Sequence, residues 1–160
     1  MNPVIYIEDY ISKVQEAEIL KLIPEKESLG QGRNQVLRFG SVHPYPSNLV
    51  SHKIPEIFRK LDIPGEFDSV TINEYFEGQM IDYHIDLHNS GNRIIILSLL
   101  GTAKFYLRNP QSLEVKHLEL KPRSLTILEN EYRWKWQHKA VAEDKRYSIV
   151  FRNSKEKINI

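Results

Sequence analysis

The 160-residue sequence contains no cysteine. Disulfides, thiolate metal sites and cysteine nucleophiles are therefore excluded. Any metal ion held by this chain would have only nitrogen and oxygen ligands, which also excludes iron–sulfur clusters and thiolate zinc fingers.

Long hydrophobic runs are absent too, since no apolar stretch approaches the roughly 18 residues that a membrane-spanning helix needs. Residues 1–9 lack the basic segment followed by an apolar segment that marks a signal peptide. We therefore expect a protein of the cytoplasm, or of the nucleus in a eukaryote, without membrane association. Its 41% hydrophobic and 27% charged residues indicate one ordinary globular domain over residues 1–160, which we expect to be a monomer.

An overall excess of charge is also missing, because the net charge is +1. The charges are unevenly distributed, however: residues 1–30 carry three lysines against six acidic residues, whereas residues 104–152 carry eleven basic against six acidic residues. A basic half is compatible with a polynucleotide or another anionic ligand. It is equally compatible with a solvated surface of mixed charge.

The first 68 residues predict few elements. Residues 4–7 are typical of a short strand, and a helix is predicted over about 13–23, with Ser12 as its N-cap and Gln15 at the capping-box position. Apolar residues recur at helical spacing over residues 49–61. Because Pro55 limits where this second helix can begin, it is predicted over about 55–61.

Residues 33–46 mix basic and aromatic side chains around a turn. In one interpretation, Arg33 and Arg38 contact phosphates while Phe39 or Tyr45 stacks on a base. In the other, the segment is a hairpin with surface arginines and partly buried aromatic rings. The residues alone leave both open.

From residue 69 onward, short apolar or alternating segments recur between turn residues. The predicted strands are 69–76, 80–86, 93–100, 103–108, 114–119, 124–128, 132–139 and 145–152. Eight short strands with few helical patterns are typical of a sandwich or barrel of the jelly-roll kind. The fold class is therefore mainly β, with α+β character from the preceding helices.

The pair His84-x-Asp86 lies at the end of a predicted strand. Side chains at positions i and i+2 of a strand point to the same face, so an imidazole nitrogen and a carboxylate oxygen can meet at one point. His138 is the best candidate for a further ligand. Two histidines and one carboxylate on one side of an ion form the facial triad of non-haem Fe(II) oxygenases. The spacing alone is weak support, because a strand histidine is more often a surface or hydrogen-bonded residue.

Two further groups of polar residues share strand faces. Arg146, Ser148 and Arg152 project from one face of the last strand, where they are either plain solvent-facing residues or a carboxylate site inside a barrel. Asn73 and Tyr75 also share a face and offer hydrogen bonds to one ligand, or else anchor a barrel rim.

Taken together, these residues resemble the AlkB family of Fe(II)/2-oxoglutarate-dependent dioxygenases over roughly residues 69–152. The similar stretches are Asn73-x-Tyr75-x-x-Gly78-x-x-Ile81-x-x-His84-x-Asp86, the distal His138, and Arg146-x-Ser148-x-x-x-Arg152. Ser148 departs from the family, which usually has asparagine there, but serine keeps a donor and an acceptor on a shorter side chain.

The resemblance implies a double-stranded β-helix (jelly-roll) core over residues 69–152, preceded by helices packed on one sheet and a substrate lid over 1–68, and followed by a tail over 153–160. It implies that His84, Asp86 and His138 bind Fe(II). The residues implied for 2-oxoglutarate are Asn73, Tyr75, Arg146, Ser148 and Arg152. With O2, such a site hydroxylates a C–H bond of the substrate while 2-oxoglutarate becomes succinate and CO2, and an N-methyl group leaves as formaldehyde.

The expected substrate is an N-alkylated base in DNA or RNA. Residues 33–40 resemble the family's lid, which assigns substrate contacts to Arg33, Arg38, Phe39 and Tyr45, and the basic second half also favours a polynucleotide. The alternatives are the same chemistry on a protein or small molecule, and a non-catalytic jelly-roll binding module.

Overall fold

The computed structural model describes residues 4–24, 34–42 and 49–159. Its strands are β1 (Ile5–Ile7), β2 (Asn34–Gly40), β3 (Ser69–Tyr75), β4 (Met80–His84), β5 (Ile94–Leu99), β6 (Ala103–Arg108), β7 (Val115–Leu120), β8 (Leu125–Leu128), β9 (Gln137–Ala142) and β10 (Arg146–Arg152). Its helices are α1 (Lys13–Leu20), α2 (Glu56–Arg59) and α3 (Glu131–Trp134), with a 3₁₀ turn at His88–Ser90. None of the described helices is long and apolar enough to cross a membrane.

The strands form two antiparallel sheets. The six-stranded sheet has the order β1-β8-β5-β10-β3-β2, and the four-stranded sheet has the order β4-β9-β6-β7. Consecutive strands alternate repeatedly between the two sheets, so the predicted mainly β, jelly-roll fold class is confirmed.

Both faces of the six-stranded sheet are covered, which is why all seven residues of β3 and of β10 are buried. The outer face packs against the N-terminal helices through a cluster that includes Ile19, Phe58 and Ile72. The inner face packs against the four-stranded sheet through a second cluster that includes Phe105 and Trp136. Because strand side chains alternate, the polar residues of β3 and β10 on the inner face lie between the two sheets.

Several elements differ from the sequence prediction. The strand predicted over 132–139 is confirmed only for 137–139 and is wrong for 132–136: a residue with positive φ, Asn130, precedes the single helical turn α3, and β9 begins only at Gln137. The hairpin considered as one alternative for 33–46 lies partly outside the described residues; within residues 34–42, β2 pairs with β3. The strand prediction over 132–136 was wrong because a short run with aromatic residues fits the period of a helix as well as that of a strand, and tertiary contacts decide between the two.

The predicted start of the first helix is confirmed. The backbone N–H of Gln15 donates to Ser12 Oγ at 3.1 Å, and that of Ser12 donates to Gln15 Oε1 at 2.9 Å, which is a capping box. The helix ends at Leu20 rather than at residue 23.

Candidate active site

The three predicted metal ligands come together between the sheets. His84 ends β4 and is paired in register with His138 on β9, with the ring centroids 4.1 Å apart. Asp86 lies beyond the end of β4, so its approach to His84 comes from the following loop rather than from strand alternation. Its Oδ1 is 3.4 Å from His84 Nε2 and 3.3 Å from His138 Nε2.

These distances fit a common metal ion. Two ligand atoms at right angles, each about 2.1 Å from an ion, are about 3.0 Å apart. The Nδ1 of His84 is 2.7 Å from the backbone carbonyl oxygen of Asp82, which favours a proton on Nδ1 and leaves the Nε2 lone pair for a ligand bond. The donor set, two imidazoles and one carboxylate on one side, suits a divalent ion such as Fe(II).

Arg152 orients the Asp86 carboxylate and favours its ionised form. Its Nε and Nη2 atoms both lie 3.0 Å from Asp86 Oδ2, so Oδ1 remains directed at the two histidines. Burial would raise the pKa of Asp86, but the charge of Arg152 and hydrogen bonds with both histidines hold that pKa well below its ordinary value. Asp86 is therefore an ionised carboxylate at neutral pH.

His138 is more buried than His84. Burial lowers the pKa of His138 in spite of the opposing effect of Asp86. The neutral imidazole is thus favoured in the folded protein, and this is the form that binds a metal ion.

That shift predicts a pH dependence for the metal-free protein. Below about pH 6.5 the unfolded chain takes up a proton at His138 that the folded protein resists, so the free energy of unfolding falls by at most about 1.4 kcal/mol per pH unit. Urea unfolding in the presence of a chelator, at about pH 7.5 and about pH 5.5, should show this loss in the wild type. His138→Gln should reduce it, whereas the exposed His117→Gln should not. Equal losses in all three proteins would contradict the assignment.

Arg146 lies in the same cavity without a carboxylate partner among the described residues. It is 1% exposed, its Nη2 donates to Ser98 Oγ at 2.9 Å, and its Nε has no hydrogen-bond partner. Asn73, also buried, has an Oδ1 atom without a partner. Buried polar atoms are normally satisfied. The Arg146 Nε donor therefore indicates room for an anionic ligand, whereas the Asn73 Oδ1 acceptor indicates room for a hydrogen-bond donor.

The cavity has a volume of about 120 Å³ and is lined by the three candidate metal ligands and by all five residues predicted for the co-substrate. These five residues are Asn73, Tyr75, Arg146, Ser148 and Arg152. The remaining lining is largely apolar and includes Ile96, Phe105 and Leu120. The apolar part of this lining lowers the local dielectric constant, which strengthens ionic contacts with a ligand.

Two residues of the site were not found from the sequence. Ser98 is the only polar residue of β5 and is fully buried, and this isolated hydroxyl in an apolar strand is the signal that was overlooked. Arg133 gave no signal, because its partners are backbone carbonyls: Nε donates to Gly91 at 2.8 Å, Nη1 to Asp86 at 3.1 Å, and Nη2 to Leu87 at 2.8 Å. Arg133 therefore fixes the loop that carries the metal-site carboxylate.

Replacing Arg133 by leucine is expected to lower the free energy of unfolding by about 3 kcal/mol or more, because three carbonyls lose a charged donor. Metal affinity should fall about 10- to 100-fold, as for other residues that orient a ligand. Urea unfolding and Mn(II) calorimetry measure the two effects, and Arg133→Lys provides a milder variant. Arg123→Leu, which removes an ion pair with Glu16 elsewhere, is the control. Unchanged Mn(II) affinity in both Arg133 variants would contradict a positioning role.

The residues predicted for substrate contacts fall into three groups. Arg38 is buried and lies opposite Thr71, hence on the cavity side of β2, where burial and the charge of Arg152 lower its pKa. Phe39 belongs to the hydrophobic core, with its ring 5.6 Å from that of Phe58, so it is a buried aromatic ring and is not placed to stack on a base. Arg33 and Tyr45 lie outside the described residues.

Comparisons with known proteins agree with this architecture. No family model matches the chain. The uncharacterized protein L905 of Acanthamoeba polyphaga mimivirus is 30% identical over 185 aligned residues, which cover 99% of this chain and 88% of L905. The tRNA (carboxymethyluridine(34)-5-O)-methyltransferases ALKBH8 of Mus musculus and Xenopus tropicalis are 30% and 31% identical over 82% and 84% of this chain. The matched region spans only 23% and 24% of those two proteins.

Among solved structures, OsALKBH1 superposes with a TM-score of 0.74 over 96% of this chain and 99% of that one, at 13% sequence identity. The fold is therefore AlkB-like, as the sequence motifs predicted. More narrowly, the chain belongs to the same family as the mimivirus protein L905.

Proposed function

We propose that this protein is an Fe(II)/2-oxoglutarate-dependent dioxygenase that removes alkyl groups from nitrogen atoms of bases in nucleic acid. One observation carries the proposal. A single cavity contains two imidazoles and a carboxylate whose potential ligand atoms all lie within 4.8 Å of one another, and a buried arginine that lacks a carboxylate partner among the described residues.

Each polar residue of the cavity has a defined task in this proposal. His84, Asp86 and His138 would hold Fe(II), and Arg152 keeps Asp86 ionised and directed at the ion. Arg146 would bind the distal carboxylate of 2-oxoglutarate, since guanidinium groups pair with carboxylates in two-pronged geometry.

The bound ion, 2-oxoglutarate and O2 would supply the oxidation: one oxygen atom enters a substrate C–H bond, and the other enters succinate as CO2 is lost. Hydroxylation of an N-methyl group makes an unstable product that releases formaldehyde and the free base nitrogen. The chain itself excludes water through Ile96, Phe105 and Leu120, which line the cavity.

Nucleic acid is the favoured substrate because of the relatives and of the charge distribution. The ALKBH8 proteins are named as tRNA-modifying enzymes, and the basic excess of residues 104–152 suits a polyanion. We expect RNA to be preferred to DNA on the basis of these relatives.

The test is an assay of succinate formation with Fe(II), ascorbate and 2-oxoglutarate. It includes single-stranded RNA or DNA containing N-methylated bases, with unmodified strands of the same sequence as controls. Mass spectrometry of the digested strand records demethylation, and we expect succinate and demethylated base in equal amounts.

Succinate formed at the same rate with and without methylated strands would move the substrate to a protein or small molecule. Absence of turnover in protein that binds both Mn(II) and 2-oxoglutarate would instead leave a non-catalytic binding module.

A further inference from the structure

Part of the basic excess of the second half lies on the outer face of the four-stranded sheet, the face opposite to the one that lines the cavity. Tyr106 and Arg108 on β6 alternate with the inward-facing Phe105 and Leu107, and Lys139 on β9 follows the inward-facing His138. These three residues, Tyr106, Arg108 and Lys139, together with Tyr83 on β4, form what we call the outer-sheet patch. All four side chains are partly exposed.

The cations of this patch contact neutral groups. The guanidinium carbon of Arg108 lies 3.9 Å from the centre of the Tyr83 ring, and its Nε and Nη2 donate to Gln137 Oε1 at 3.0 and 2.7 Å. Lys139 Nζ lies 5.6 Å from the Tyr83 ring centre and 6.0 Å from that of Tyr106. Within the described residues, neither Arg108 nor Lys139 forms a salt bridge with a carboxylate.

The patch is adjacent to the opening of the candidate site. Tyr83 precedes His84, whose side chain is 30% exposed and so marks where the site meets solvent. Arg108 is paired with Gln137, and the preceding residue Leu107 is paired with His138, so the patch and the metal-binding histidines share one end of the sheet.

A polymeric substrate needs such a surface. The cavity of about 120 Å³ accepts only the reacting part of a polymer, so neighbouring nucleotides must remain outside it. A base whose alkyl group enters the cavity must also leave its stack. Single-stranded nucleic acids bind to exposed aromatic rings that alternate with cations lacking a carboxylate partner. Bases stack on the rings while the cations contact phosphates.

We propose that the outer-sheet patch binds the nucleotides that flank the modified base in a single-stranded nucleic acid. In this arrangement Arg108 and Lys139 contact two phosphates, and Tyr106 offers a stacking surface. The inference deepens the proposed function and rests on it, because the proposed function is what directs the nucleic-acid strand toward the cavity. Binding of the nucleic acid to the patch is nevertheless measurable without turnover.

The experiment is fluorescence anisotropy with labelled, unmodified single-stranded RNA at several salt concentrations, comparing wild type with Arg108→Ala/Lys139→Ala. Each phosphate contact to a single strand contributes about 0.7 to the slope of log Kd against log salt, so the double variant should lower that slope by about 1.4. Tyr106→Leu should weaken binding about 5-fold or more without changing the slope. The control Lys13→Ala/Lys21→Ala, in which both lysines lie on or just after α1 beside the other sheet, should bind like wild type.

Three results would overturn the inference: an unchanged salt slope in the double variant, duplex RNA bound as tightly as the single strand, or poly-glutamate bound as tightly as RNA. The last result would identify a surface that recognises only negative charge. Mn(II) calorimetry with 2-oxoglutarate on the same samples separates the two proposals, because a failed co-substrate site with intact RNA binding contradicts only the proposed function.

Discussion

Replacing Arg146 by alanine is expected to raise the apparent KM for 2-oxoglutarate about 30-fold or more, with a much smaller change in the KM for the nucleic acid. Truncating one partner of a buried, hydrogen-bonded charge pair costs about 2–5 kcal/mol, which corresponds to at least a 30-fold loss of affinity. Succinate formation at varied 2-oxoglutarate concentrations measures the effect, and calorimetry with Mn(II)-loaded protein measures binding directly.

The same substitution should leave the metal-free protein at least as stable as the wild type. Arg146 is fully buried and has no salt bridge to a carboxylate among the described residues, so its removal also removes a desolvation cost. Thermal unfolding without ligands tests this point. Arg146→Lys, which keeps the charge but not the planar fork, should give an intermediate KM. A selective rise in the KM for nucleic acid, with that for 2-oxoglutarate unchanged, would remove Arg146 from the co-substrate pocket.

Replacing His84 by alanine is expected to abolish detectable turnover and to weaken Mn(II) or Co(II) binding by more than about 100-fold, since losing a ligand should exceed the 10- to 100-fold effect of losing a group that orients one. The fold should survive, because the His84 side chain is 30% exposed and ends its strand. Anaerobic calorimetry with Mn(II) and the visible absorption of Co(II) both measure the effect.

His88→Ala is the matched control for this variant. It removes an exposed imidazole four residues along the chain, whose ring lies 5.3 Å from that of Trp134 and which is not among the three grouped donors. We expect metal affinity close to that of the wild type. Metal affinity lost equally in both variants, or retained in His84→Ala, would show that the ligand set is misassigned.

The sequence was most informative where two signals coincided. On β10, the alternation of Arg146, Ser148 and Arg152 with apolar residues predicted the strand and showed that these three residues share one face, because a period of two is hard to obtain in a helix. That this face lines the cavity was implied only by the resemblance to the AlkB family, because an exposed face would show the same alternation. The capping box at Ser12 was predictable for a similar reason, since two side chains and two backbone groups satisfy one another locally.

Where the prediction failed, the deciding interactions were not local. The segment 132–139 contains aromatic and apolar residues that fit a strand. In the structure, however, Tyr132 and Arg133 belong to a helical turn, and their side chains are buried from that conformation. Arg133 then contacts a loop 46 residues away in sequence through carbonyl groups that every residue possesses. Asp86 was correctly grouped with His84, although the argument from strand alternation does not apply beyond the end of β4.

The position of β4 bears on how the candidate metal site would form and how it would lose its ion. In the described part of the chain, β4 pairs only with β9 and its register is irregular between Ile81 and His84, whereas β9 also pairs with β6. Terminal strands with few backbone partners open more readily than central ones. Detachment of the ion should therefore begin with fraying at His84 while His138 stays in place, and amide protons of Met80–His84 should exchange much more slowly once the ion is bound.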